Sequence, residues 1–475
     1  MPFNLTKGQF AKLLEEYKKN NNVDISNYQS QNNDKQKKNT LSLYQWQQKA
    51  YQQWANCGYQ GIIEAVTGAG KTRIAHKAIF EHINRGWKIL IIVPNIELQT
   101  QWYNDLVDLL GERDDLRRLG NGYHGQRYPD PNWKILIAVV NSAIGKPLRC
   151  RDKGLLIADE CHHYGAKTFS AALKDCYTKR LGLTATYERN DDGIENYLNP
   201  YFGSVCYRYG YDQALRDNVI AHFKIAFIGI KLTRQEQNEY ERYNKQCIIA
   251  RRRLNRYGLG ELRFGEFFKK VSELAKGASG DFNITMAAST YISNFSKRRQ
   301  VLANSVVKYD FAKHFVKCIQ TAERTIVFCQ TQRAASKLSD IFSFHELNSQ
   351  TINANVDQLA RRKIFKAFET GKTEVITAPL LLDEGINVPS ADLAIIIASS
   401  RSKRQMIQRM GRVIRRKTDR RLARIAVLYA KDTSEDPRNG AYEDFLDDIK
   451  DAADDRQYFD ENKIIALQKY LNSIR

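Results

Sequence analysis

From Leu41 onward, short apolar runs alternate with longer amphipathic stretches, the order that a parallel sheet with crossover helices requires. Gly61 to Ala65, Lys88 to Pro94, Lys134 to Val140, Gly154 to Ala158 and Arg180 to Thr184 are short and rich in Ile, Leu and Val, so they read as strands of one sheet. Arg324 to Cys329, Gly371 to Ala378, Ala391 to Ala398 and Arg424 to Ala430 repeat the pattern and predict a second. Two sheets imply two α/β domains in tandem, placed at 41–213 and 214–430. Between the two sets, Thr233 to Lys308 has only helical or polar character, which predicts a helical insertion at 233–308 within the second domain. Upstream, Leu5, Phe10, Leu13, Leu14 and Tyr17 share one side of a helix over residues 4 to 19. The Asn-, Gln-, Lys- and Ser-rich Asn20 to Thr40 reads as a flexible connector, so 1–40 is a helix and linker. Residues 431–475 read as an acidic helical tail.

A chain of 475 residues exceeds one ordinary core, in agreement with two domains. Lys and Arg total 74 against 53 Asp and Glu, a surplus of +21 that points to an anionic partner. Eight scattered cysteines form no CxxC pair, and no histidine cluster has zinc spacing, so a reduced, cytoplasmic protein is expected. The N-terminus lacks the apolar core of a signal peptide and no apolar run reaches about 18 residues, so no membrane partner is expected.

The strand Gly61 to Ala65 leads into AVTGAGKT, a phosphate-binding loop. Gly68 and Gly70 permit a turn that, with Thr67 and Ala69, aims backbone N–H groups at phosphate; Lys71 reaches the β- and γ-phosphates, and the Thr72 hydroxyl ligates Mg²⁺. The general pattern has Gly where this chain has Ala65. At the end of another apolar strand, LLIADECHH offers two carboxylates: Asp159 to hold Mg²⁺, directly or through water, and Glu160 to accept a proton from the attacking water. His162 and His163 have no third ligand nearby, so a coupling or solvent-facing role suits them better than a metal site.

AVTGAGKT, DECH, LTAT (Leu183 to Thr186) and QRMGRVIRR (Gln408 to Arg416), in this order, resemble the DEAD/DEAH-type helicases of superfamily two across residues 41 to 430. TATYERNDDG, DQALRDNVIAHFKIAFIGIKLT and LLDEGINVP are similar to the XPB-like branch of DNA translocases and helicases. The resemblance implies two RecA-like domains with ATP in the cleft between them and DNA (single-stranded, duplex or forked) across both. It implies that Gln47 reads the adenine edge with Trp46 packed nearby, that Gly385 and Asn387 approach the nucleotide, and that Thr184 and Thr186 couple nucleotide state to strand grip. Gln408 would orient the water, and Arg412 and Arg415 would act as arginine fingers. Nucleic-acid contacts would come from Asn95 and Gln99, from Asn141 and Ser142, and from Gln330 and Thr331. The basic run Arg251, Arg252 and Arg253 adds a candidate from charge alone. Two positions depart from the family: Asn387 replaces Asp and Tyr187 replaces Pro. Three other readings share much of this sequence: an RNA helicase, the motor subunit of a restriction or antiviral defence complex working with a nuclease, and a nucleotide-gated scaffold without turnover.

Overall fold

The computed structural model describes residues 41–120, 132–150, 153–189, 191–262, 264–353, 355–379, 391–397, 413, 421–439 and 453–473. The expected helix at residues 4 to 19 and its linker lie outside them.

Seven parallel strands form the first sheet: β1 (Gln60–Ala65), β2 (Lys88–Val93), β3 (Leu116–Leu119), β4 (Ile135–Val139), β5 (Gly154–Asp159), β6 (Lys179–Thr184) and β7 (Val205–Tyr209), in the order β3-β4-β2-β5-β6-β1-β7. Helices α1 (Gln45–Asn56), α2 (Thr72–Ile83) and α3 (Ile96–Leu110) accompany it. Every residue of β4 and β5 is buried, which is why these strands read as unbroken apolar runs and not as alternating ones.

The second sheet comprises β8 (Phe223–Ile230), β9 (Thr325–Cys329), β10 (Ser349–Thr351), β11 (Val375–Pro379), β12 (Leu393–Ile396), β13 (Ala423–Ala430) and β14 (Asp455–Asp460), in the order β10-β11-β9-β12-β13-β8-β14, again all parallel. Two tandem RecA-like sheets are therefore present, as the apolar pattern predicts. Between β8 and β9 run three long helices, α4 (Arg234–Leu254), α5 (Phe264–Ala275) and α6 (Phe282–Ala303). A reciprocal cap starts α4, with the Thr233 hydroxyl accepting from Glu236 N–H and the Glu236 carboxylate accepting from Thr233 N–H. The three helices bury a core of their own around Leu254, Phe267, Val271, Tyr291 and Phe295. Helix α7 (Gln332–Phe344) follows β9. Among the described residues, no helix is long and apolar enough to cross a membrane.

The C-terminal segment departs from the expected helical tail. Residues 455–460 form edge strand β14, paired with β8, before the short helix α8 (Ile464–Asn472). The reason is local: only Phe459 of β14 is buried, so hydrogen bonding to β8 places the segment with almost no apolar signal. Behind it the Lys224 ammonium donates to the carbonyls of Tyr470 and Ser473 and to Ser473 Oγ. Burial of that ammonium lowers its pKa to about 8.

His76, on α2, is buried with its ring edge-on to Trp102 at 5.4 Å, and burial followed by the Arg73 charge lowers its pKa to about 4. An unfolded chain binds more protons than the folded one between about pH 4 and an ordinary histidine value near 6.5, so His76 contributes stability above pH 6.5 that drains away as pH falls toward 4. The expected loss is at most about 3 kcal/mol. Urea unfolding at pH 7.5 and 4.5 tests this: His76→Phe should lose measurably less stability across that interval than the parent chain, and equal losses would refute the assignment.

Candidate nucleotide site

The carboxyl ends of β1, β5 and β6 converge on the site, the place where open parallel sheets bind ligands. At the end of β1, Gly68 (φ +86°) and Gly70 (φ +87°) adopt left-handed conformations that turn the loop into α2. Lys71 Nζ donates to the Ala65 carbonyl at 2.8 Å, so the ammonium folds back over the loop. Gln47 is fully buried, and its Nε2 donates to the carbonyls of Gly70 (3.0 Å) and Ala69 (3.4 Å). This gives Gln47 a second task beside the expected adenine contact, that of holding the phosphate loop in shape. Trp46 stacks on Tyr209 with ring centroids 4.2 Å apart, which anchors α1 to β7.

Asp159 closes β5 with both carboxylate oxygens engaged. Oδ2 accepts from Trp102 Nε1 at 2.8 Å and Oδ1 from the Glu160 N–H at 3.1 Å. Burial holds this carboxyl above its usual pKa, opposed by the Trp102 hydrogen bond and by the Lys71 charge. The Asp159 carboxylate and the Thr72 hydroxyl are oxygen donors of the kind that suits Mg²⁺. Trp102 lies in PNIELQTQW, 57 residues ahead of Asp159, so no local pattern announces this contact.

Glu160 sits at φ +49°, ψ +51°, left-handed for a residue with a Cβ, a strain of the kind found at functional sites. The conformation turns the chain into a tight turn over Cys161–Gly165. There His162 is 1% exposed, which rules out the solvent-facing role, with Nδ1 2.9 Å from Thr184 Oγ1 and 3.5 Å from Glu160 Oε2. Thr184 Oγ1 in turn donates to the Thr186 carbonyl and accepts from the Thr186 N–H. Hydrogen bonds thus join His162, Thr184 and Thr186, and the Glu160 carboxylate lies 3.5 Å from the His162 end of that chain. Farther along, Arg189 donates to the His162 carbonyl and to both oxygens of Asp191. Gly193 completes this turn because a Cβ there would lie 2.2 Å from the Gly165 carbonyl oxygen.

The nucleic-acid candidates divide. Gln99 is a correction: it is 0% exposed, and its Nε2 donates to the carbonyls of Leu119 and Ile137, bracing β3 and β4 from within. A polar residue early in a helix looks solvent-facing in sequence, whereas here two strand carbonyls supply its partners. Asn95 caps α3 by accepting from Leu98 N–H, and Thr331 caps α7 by accepting from Ala334 N–H. Their side chains are committed to shaping helix starts, and the first-turn N–H groups become the better phosphate donors. Asn141 is exposed and Ser142 is half-buried, on the short helix Val140–Ala143. Gln330 receives Arg299 of α6, from Nη2 at 2.7 Å and Nε at 3.2 Å, when its amide oxygen faces that guanidinium. Arg251, Arg252 and Arg253 are exposed on the last turn of α4, with the Arg251 guanidinium 5.0 Å from the Phe267 ring centre. Gly385, Asn387, Gln408, Arg412 and Arg415 lie outside the described residues.

Two sequence families match the chain, one described as "Type III restriction enzyme, res subunit" over residues 40–189 and one as "Helicase conserved C-terminal domain" over 307–417. A Sulfurisphaera tokodaii protein named DNA 3′-5′ translocase XPB2 is 29% identical over 384 residues, covering 80% of each chain. The Mycobacterium tuberculosis DNA 3′-5′ helicase XPB is 24% identical over 401 residues, covering 80% of this chain and 60% of that protein. Among solved structures, S. cerevisiae Dbp5 bound to RNA and ADP BeF3 superposes with a TM-score of 0.57 at 10% identity, covering 90% of this chain and 93% of that one, a likeness of fold. Phosphate loop, DECH strand end and paired parallel sheets agree with these matches, and the chain belongs to the superfamily two helicases, in their XPB-like branch.

Proposed function

We propose that the protein couples ATP hydrolysis to movement along DNA or its unwinding, with the 3′-to-5′ direction named for its relatives. The observation that carries this reading is the His162–Thr184–Thr186 hydrogen-bond chain, whose His162 end lies 3.5 Å from the Glu160 carboxylate and whose other end is the LTAT segment. Lys71 and the loop N–H groups from Thr67 to Thr72 hold the phosphates, and Gln47 keeps that loop formed. Thr72 and Asp159 would hold Mg²⁺, which would supply charge neutralisation for the nucleotide's phosphates. Glu160 accepts the proton of the attacking water. Gln408, Arg412 and Arg415 act from the second domain, with Gly385 and Asn387 beside the nucleotide, so turnover requires the two domains to close. The domains are assigned to 41–213 and 214–430, with the insertion at 233–308. Asn141, Ser142, Gln330 and the helix starts at Asn95 and Thr331 face the strand, and Arg251 to Arg253 extend the grip. A second reading, the motor subunit of a restriction or defence complex, draws on the description of the family matched over residues 40–189.

ATPase rates without nucleic acid and with single-stranded DNA, duplex DNA, forked DNA or RNA test the proposal. DNA should stimulate turnover several-fold by favouring closure, while preferential stimulation by RNA would redirect it. Grip through phosphates should give a log–log salt slope of about −0.7 per contacted phosphate on single strands. Neutralising Arg251, Arg252 and Arg253 together should make the slope shallower; an unchanged slope would reduce them to a solvated helix face.

A further inference from the structure

We propose that Glu64 is a positioning residue that ties the strand of the phosphate loop to the LTAT segment, through a backbone N–H present only because Tyr187 stands where the family usually has proline. Glu64 pairs in register with Thr184 on β6 and with Arg208 on β7, and Glu64–Thr184 is the last pair of the β1–β6 ladder. Past that point its carboxylate continues the connection: Oε1 accepts from the Tyr187 N–H at 2.8 Å, and Oε2 accepts from Arg208 Nε at 2.9 Å. A proline at 187 has no N–H to donate. Glu64 would then keep only Arg208, whose side chain is 73% exposed and whose ion pair is correspondingly weak.

The position of this tie gives it a function. Ala65, the next residue, accepts the Lys71 ammonium at its carbonyl, and a nucleotide's phosphates would compete with that carbonyl for the ammonium. At the other end, Tyr187 follows Thr186, the terminus of the hydrogen-bond chain from His162, which sits beside Glu160. Nucleotide binding therefore acts on the peptide adjacent to Glu64, and Glu64 holds the segment that reports nucleotide state. Glu64, Thr186, Tyr187, Arg208, Tyr211 and Arg216 also line an open cleft of about 600 Å³, which leaves the segment beyond Thr186 room to move.

The inference rests on the proposed function for its consequence in turnover, so the test reads the tie in two ways. Hydrogen exchange of a peptide spanning residues 183–189 is followed with and without a non-hydrolysable ATP analogue, and ATPase rates are measured with and without single-stranded DNA. Tyr187→Phe removes only the hydroxyl that donates to Asn199 and should behave as the parent chain in both. Tyr187→Pro and Glu64→Ala should lose the nucleotide-dependent protection and bring the several-fold DNA stimulation close to unity, a loss within the range usual for coupled sites, with little change in KM for ATP. Glu64→Gln keeps an oxygen that accepts the N–H and should restore most of both signals. If Tyr187→Pro fails to fold, Glu64→Ala against Glu64→Gln carries the same comparison with the backbone unaltered. Parental exchange and stimulation in Glu64→Ala would overturn the tie. A parent chain whose ATPase ignores DNA would overturn the proposed function, while the exchange measurement would still decide the tie.

Discussion

Glu160→Gln is expected to abolish steady-state ATP turnover while leaving nucleotide binding intact. Removing a positioned general base costs roughly 10²- to 10⁴-fold in rate, and glutamine matches glutamate in shape while lacking its basicity. Binding should survive because the groups proposed to hold the phosphates and Mg²⁺ lie elsewhere: Lys71 and Thr72 follow β1, and Asp159 is oriented by Trp102 and a backbone N–H. Lys71→Ala offers the contrast, since it removes the loop's cation and should weaken nucleotide binding itself. Fluorescent-nucleotide titration beside single-turnover hydrolysis separates the two outcomes, and a Glu160→Gln protein with near-normal turnover would remove Glu160 from the role of base.

The largest expected loss of stability comes from a residue far from the chemistry. Asp392 and Arg424 form an ion pair at 2.7 Å with side chains only 2% exposed, at the starts of β12 and β13. Asp392 Oδ1 also accepts from the Arg324 N–H, and Arg424 Nη1 donates to Thr321 Oγ1 and to the Leu471 carbonyl. Asp392→Ala leaves a desolvated guanidinium without its counter-charge, a change that costs about 3–5 kcal/mol. The double variant Asp392→Leu, Arg424→Met removes both charges and should recover much of that loss. Urea denaturation of the three proteins provides the check: equal stability of the single and double variants would show that the pair's geometry, and not an uncompensated charge, sets the cost.

Both of these sites differ in how far the sequence announces them. The phosphate loop and DECH segment are legible because each follows a mostly buried strand, Gly-Ile-Ile-Glu-Ala in β1 and Gly-Leu-Leu-Ile-Ala in β5, so apolar run and polar terminus define one another. Strand β3, Leu-Arg-Arg-Leu, is too short and too charged to register, and β10 has only three residues. Strand β8 is wholly buried, yet its residues sit inside a longer family signature and were not separated from it as a strand. Gln99 and Glu64 fail to stand out for a different reason. The value of each lies in partners 20 or more residues away, such as the carbonyls of Leu119 and Ile137 or the N–H of Tyr187. Local pattern carries no record of such contacts.

Strand β14 has a consequence for the order in which the chain acquires structure during synthesis. The first sheet has all seven of its strands once residue 209 has emerged, so it can close while the remainder is still being made. The second sheet places β8, drawn from residues 223–230, between β13 and β14, and its outer partner is supplied more than 220 residues later. Until residues 455–473 emerge, β8 presents an open edge and Lys224 lacks the carbonyls of Tyr470 and Ser473. The first sheet thus precedes, by roughly 13–53 s at about 5–20 residues per second, the sheet that would complete the motor.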